Sequence, residues 1–336
     1  MTMAVLGAGS WGTALAVHLA RAGGTVRLWG RDERLVTEMR RDLVNARYLP
    51  DIALPDLLVP TSALPEALDG ASFVIVAVPS HGLRAVVRAA VPHLAPGTIV
   101  VSATKGLEAG SLDRMSQVIA EETAERVPVV VLSGPSFAIE VARQLPTAVL
   151  VASSNAEAVA RVQEHFRGRG LRLYISDDVA GVEIGGALKN VIAIAAGVVE
   201  GLGLGHNAMA ALITRGLTEI SRVASAEGGR RETLAGLSGL GDLVLTCTGN
   251  LSRNRHVGVE LGRGRSLEEI LAGMHMVAEG VRTTGAALAL GARHKIELPI
   301  AAQMAAVLEG QRSPREAVDS LMGRRQRPEA DGDRRQ

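Results

Sequence analysis

Short, dense runs of Val, Ile and Leu punctuate the first half of the chain, at Met3–Leu6, Thr25–Trp29, Phe73–Val78, Thr98–Ser102, Val129–Leu132, Ala148–Ala152 and Leu171–Ile175. None alternates strictly between apolar and polar residues, so each predicts a strand covered on both faces. Between them the spacing turns helical, as in Thr13–Ala22, closed by Gly23–Gly24, and in Leu112–Ala124. Alternating strands and helices of this kind predict a doubly wound, mostly parallel α/β sheet. From about Ala180 the strand-like runs stop. Gly181–Val199, Met209–Ala226, Leu267–Met274, Thr283–Leu290 and Ile300–Leu308 carry helical periodicity and are joined by Gly-rich turns. The pattern therefore predicts a sheet domain over residues 1–180 and an all-helical domain over 181–322. The tail over 323–336 mixes Arg with Asp, Glu, Gly and Pro and predicts disorder.

Residues 7–12 read GAGSWG, between the first strand and a helical run. Gly-x-Gly-x-x-Gly in that setting is the Rossmann dinucleotide fingerprint. Gly7 allows the tight turn, Gly9 lets the backbone approach a pyrophosphate, and Gly12 lets helix and strand pack closely. The second strand is followed by GRDER, so Arg31 and Arg34 are placed to receive the 2′-phosphate of NADP, while Asp32 suits the free ribose of NAD. This favours NADP slightly over NAD. Pro79–Ser80, Lys105 and Gly134-Pro135-Ser136 each follow a predicted strand, at the sheet edge where ligands bind.

Composition narrows the chemistry. A net charge of +1 and 2% aromatic residues give neither the field nor the stacking surface of a nucleic-acid binder. The single cysteine, Cys247, excludes an internal disulfide framework and suits the reducing cytoplasm. The longest uncharged apolar run, Val191–Val199, is too short to insert in a membrane, and the scattered histidines offer no metal site. Only three of the 36 basic residues are lysines, Lys105, Lys189 and Lys295. Lys189 lies in GGALKNVIAIAAG, the most apolar part of the chain, with no carboxylate at helical spacing; Glu183 is on another face. Asp242, after a Gly-rich turn and before an apolar run, is the candidate counter-ion. A lysine in such a site can release and regain a proton, which an arginine cannot. Ser252, Arg253, Asn254 and Arg255 form a phosphate-binding composition at a predicted helix start.

The ordered set GAGSWGTALA, VPSH, ATKGLE, SGPSFAIE, GALKNVIAIAAG, NAMAALITRGL, GLGDLVLTCT and SRNR resembles the bacterial-type NAD(P)-dependent sn-glycerol-3-phosphate dehydrogenases over roughly residues 3–322. The resemblance implies reversible reduction of dihydroxyacetone phosphate to sn-glycerol 3-phosphate, which feeds glycerophospholipid synthesis. It implies Lys189 as the proton donor and acceptor, with Asp242 beside it and Lys105 shared between cofactor and substrate. Gly134, Ser136, Asn190, Ser252, Arg253 and Asn254 match substrate-side positions. Ser10, Trp11, Arg31, Ala138, Arg253, Val277 and Glu279 match cofactor contacts. The Ala-rich helical domain is the candidate surface for a homodimer. Three rivals share the fingerprint. One is a two-domain ketopantoate or β-hydroxyacid reductase, which lacks the LKN…GDL…SRN set; another is a UDP-sugar oxidising enzyme, which needs a catalytic Cys that Cys247 fits poorly; the third is a NAD(P)H sensor, which has no need of the two lysines.

Overall fold

The computed structural model describes residues 1–274, 278–326, 328 and 329. The tail predicted over 323–336 falls largely outside them. Among the described residues the ten strands are β1 (Thr2–Leu6), β2 (Thr25–Trp29), β3 (Val44–Asn45), β4 (Leu49–Ala53), β5 (Leu58–Thr61), β6 (Phe73–Val76), β7 (Ile99–Ser102), β8 (Val129–Ser133), β9 (Thr147–Ala152) and β10 (Leu171–Ser176). Eight of them form one sheet in the order β10-β9-β8-β7-β6-β1-β2-β5. Every neighbouring pair is parallel except β8 with β9. Strand β1 is buried from Met3 to Leu6 because it runs through the middle of this sheet, as its uninterrupted apolar run requires.

Seven helices accompany the strands: α1 (Ser10–Arg21), α2 (Glu33–Asp42), α3 (Leu64–Leu68), α4 (Ser80–Ala90), α5 (Met115–Glu122), α6 (Ala138–Ala142) and α7 (Ala156–Phe166). Strand order reverses between β1 and β6, so their carboxyl ends open a crevice. The carboxyl ends of β7 and β8 lie on the same edge, since these strands run parallel to β6. The sequence pattern did not give β5 or the β3–β4 hairpin. Pro60 argues against a strand, but β5 is an edge strand, where a missing N–H costs no ladder bond. The hairpin is short and follows Leu43 in the left-handed region at φ 51°.

Among the described residues the remaining elements are helices: α8 (Val179–Gly201), α9 (Gly205–Ala226), α10 (Arg231–Ala235), α11 (Asp242–Thr248), α12 (Arg253–Gly262), α13 (Leu267–Ala272), α14 (Glu279–Arg293), α15 (Pro299–Leu308) and α16 (Pro314–Met322). Helix α8 starts on Asp178, whose side chain accepts from Gly181 N at 2.8 Å. Counted whole, α8 is long and apolar enough to cross a membrane, which the Val191–Val199 run alone did not suggest, but the window that passes the test is entirely buried. It is the core helix of the second domain. Helix α12 packs on it backbone to backbone: a Cβ on Gly197 would lie 2.0 Å from Arg255 O, and one on Gly258 1.9 Å from Ile194 O. The glycines bring α12, and Ser252–Asn254 at its start, against the helix that carries Lys189.

Candidate active site

The Gly-rich turn is set by contact. Gly7 has φ +119°, and a Cβ on Gly12 would sit 1.8 Å from Gly7 O, so neither position accepts another residue without moving the turn. A Cβ on Gly9 would meet nothing within 4 Å. The N-terminus of α1 has no side-chain cap and no acidic residue in its first turn. The positive end of a helix beside open space is what a pyrophosphate needs, so these residues fit a dinucleotide. Ser10 Oγ donates to Tyr48 O at 2.8 Å and Trp11 Nε1 to Ala103 O at 3.2 Å, fastening the start of α1 to the hairpin and to the β7 edge.

Beyond β2, Arg31 and Arg34 are exposed. Asp32 is the N-cap of α2. Its Oδ1 accepts from Arg34 N at 3.0 Å and Leu35 N at 3.3 Å, and its Oδ2 from Arg47 Nη1 at 3.1 Å. These bonds, led by the Leu35 N–H, hold its carboxyl below the usual carboxylate range. Arg47 arrives from the hairpin, so its place here was not legible in the local sequence.

The lysines converge on one acid. Asp242 is 1% exposed and opens α11; its Oδ1 pairs with Lys189 Nζ and its Oδ2 with Lys105 Nζ at 2.7 Å. Lys105 also donates to Gly134 O at 2.9 Å, as does Ser136 Oγ at 2.9 Å. Lys189 Nζ donates to Thr246 Oγ1 at 3.0 Å, and that hydroxyl donates to Asp242 O at 2.6 Å. Thr246 was missed in the sequence, although its i+4 spacing from Asp242 puts both on one face of α11. Asp242 itself follows a π-helical turn, Leu237–Gly241, where the sequence reads as a Gly-rich turn. Lys189 is 6% exposed, and burial pushes its pKa down to about 7; Asp242 opposes the shift and Lys105 adds to it. Cys247 is buried beside this cluster, and burial pushes its thiol up to about 12, so it is no nucleophile at neutral pH.

A buried amide relay lies next to the lysine. Asn254 Nδ2 donates to Asn190 Oδ1 at 2.9 Å, and Gly280 N donates to Asn254 Oδ1 at 2.9 Å. Ser252 caps α12, accepting from Arg255 N at 3.2 Å, while Arg255 itself pairs with Glu200. Arg253 keeps surface exposure, yet desolvation by the protein around its guanidinium lowers its pKa, and the charge of Glu279 opposes that shift. Glu279, at the start of α14, accepts from Ser80 Oγ at 2.9 Å across the domain boundary. Ala138 opens α6. Val277 lies outside the described residues.

Comparison with known proteins bears on the whole chain. Residues 2–159 match the family model of the N-terminus of NAD-dependent glycerol-3-phosphate dehydrogenase, and 178–319 match that of its C-terminus. A glycerol-3-phosphate dehydrogenase [NAD(P)+] of Thioalkalivibrio sulfidiphilus is 53% identical over 97% of this chain and 98% of its own. One from Koribacter versatilis is 51% identical over 96% and 97%. The crystal structure of glycerol-3-phosphate dehydrogenase from Coxiella burnetii superposes with a TM-score of 0.93 at 45% identity, covering 96% of this chain and 99% of that one.

Proposed function

The chain belongs to the NAD-dependent glycerol-3-phosphate dehydrogenase family, and we propose that its reaction is carried by the buried cluster of Lys189, Asp242 and Lys105. The reaction is reduction of dihydroxyacetone phosphate to sn-glycerol 3-phosphate with NADH or NADPH. When bound, the reduced nicotinamide supplies hydride to the carbonyl carbon. Lys189 gives its proton to the carbonyl oxygen, the Nζ–H bond breaking as the O–H bond forms; in oxidation the neutral amine takes that proton back. The observation that carries this reading is a buried ammonium whose counter-ion is shared with a second lysine. Such a group loses its proton near neutral pH, where a general acid works best. Lys105 stabilises the negative charge that develops on the oxygen, and Asp242 holds both ammonium groups on one side of the substrate.

Ser252, Arg253 and Asn254, at a helix start with no acidic residue in its first turn, are proposed to receive the substrate phosphate. Asn190, Gly134 and Ser136 are proposed to line the three-carbon body, and Gly7, Gly9, Ser10, Trp11, Gly12, Arg31, Lys105, Ala138, Arg253 and Glu279 the dinucleotide. The product suits glycerophospholipid synthesis, and an unpaired buried thiol suits the cytoplasm. Preference for NADPH is supported by Asp32, whose oxygens are taken by its own helix and by Arg47, leaving Arg31 to meet a 2′-phosphate.

One assay tests both. Purified protein is expected to oxidise NADPH with dihydroxyacetone phosphate but not with a 2-keto acid; the opposite substrate preference overturns the reading. In Arg31→Ala, kcat/KM for NADPH falls about tenfold, as for loss of one charged hydrogen bond, while that for NADH is unchanged. An equal change with both cofactors contradicts the role of Arg31.

A further inference from the structure

The proposed chemistry leaves one buried acid on the catalytic helix unused. Glu183 sits on α8, less than two turns before Lys189, and is buried. Its carboxylate faces the N-terminus of α5, in the other domain. Oε1 accepts from Ser116 N at 2.8 Å, and Oε2 from Arg114 Nη1 at 2.9 Å and from Ser116 Oγ. Burial raises the pKa of this carboxyl, while the Arg114 charge and the Ser116 donors oppose the shift.

What Glu183 grips matters more than its burial. Arg114 ends the loop that begins at Lys105. That loop folds back on itself through an antiparallel bridge between Leu107 and Arg114 and a bond from Glu108 N to Asp113 O at 2.9 Å. Leu107 packs into the core of the helical domain, with α8. The loop carrying Lys105 and the helix carrying Lys189 are thus fastened twice, by Asp242 at the reacting end and by Glu183 at the other.

We infer that Glu183 is a positioning residue, which through Arg114 and Ser116 fixes the Lys105 loop against α8 and so sets the placement of the two lysines about the substrate. The inference rests on the catalytic reading given above for Lys105 and Lys189. A carboxylate suits the task because it accepts from a helix N-terminus and an arginine together. An amide in its place turns an NH₂ towards Arg114 and releases the grip.

The test is turnover per NADPH-binding site, with sites counted by fluorescence titration. In Glu183→Gln, kcat per site is expected to fall about tenfold to a hundredfold, the cost of a misplacement on the order of 1 Å. The Kd for NADPH is expected to change much less than kcat, because only Lys105 among the residues proposed to bind the dinucleotide lies on the loop that Glu183 holds. A purely structural role lowers Tm and the number of sites but leaves kcat per site unchanged; that result overturns the inference. Should Glu183→Gln fail to fold, Ser116→Ala, which removes one hydroxyl from the contact, decides: a fall in kcat per site supports the inference and an unchanged value overturns it. Lys105→Met and Lys189→Met are measured alongside. If they keep full turnover, the catalytic reading itself fails; if they lose it while the Glu183 and Ser116 variants do not, only the positioning role fails.

Discussion

Lys189→Arg binds NADPH as the unaltered chain does and reduces dihydroxyacetone phosphate about 10²- to 10⁴-fold more slowly, the usual worth of a positioned general acid. Charge is not what the variant loses, since a guanidinium still pairs with Asp242. It loses the capacity to part with a proton at neutral pH, which Lys189 gains from its burial and from Lys105 nearby. Most of the cofactor residues proposed here lie elsewhere, on the Gly-rich turn, after β2 and at the starts of α6, α12 and α14, and only Lys105 shares Asp242 with Lys189, so NADPH affinity separates a lost proton donor from a damaged fold. Initial rates at saturating substrate, with a fluorescence titration of the same sample, measure both. Turnover close to that of the unaltered chain removes Lys189 from the acid–base role.

Asp242→Asn is expected to cost both stability and activity. The carboxylate is buried and carries two ammonium groups, and removing one partner of a buried ion pair costs about 3–5 kcal/mol. Part of that cost is relieved because Lys189, without the charge that favours its protonated form, becomes neutral at lower pH. That relief is itself damaging, for a neutral lysine has no proton to give. Turnover at pH 7 therefore falls about a hundredfold or more, and urea denaturation shifts to a lower midpoint. A variant of unchanged stability and rate would mean that the acid neither balances the lysines nor keeps Lys189 protonated.

The parts of this site that were legible in the sequence depend on neighbours along the chain. The Gly7–Gly12 turn is specified by its own backbone contacts. Lys189 stands out because an ammonium in an apolar run needs an explanation, and Asp242 is a carboxylate in similar surroundings. Lys105 shows itself by following a strand. The rest depends on contacts between distant segments. Nothing local says that Asp242 bridges both lysines, that Arg47 reaches Asp32 from a hairpin, or that Glu183 holds a loop of the other domain. The edge strand β5 was hidden by Pro60, which is disallowed in a central strand and tolerated at an edge. Thr246 was within reach, because Asp-x-x-x-Thr on one helix face is a local pattern.

The pH dependence of kcat/KM, followed in both directions, tests the central claim most directly. Protonated Lys189 is needed for reduction and neutral Lys189 for oxidation. Reduction is expected to be level below about pH 7 and to fall above it, and oxidation to rise towards the same pH and then level off. Ionisation of the substrate phosphate acts in the same sense in both directions, so only the group that donates and accepts the proton produces opposed limbs. Opposed limbs near neutrality that vanish in Lys189→Met are the predicted result; parallel profiles, or opposed limbs that survive the substitution, contradict the account.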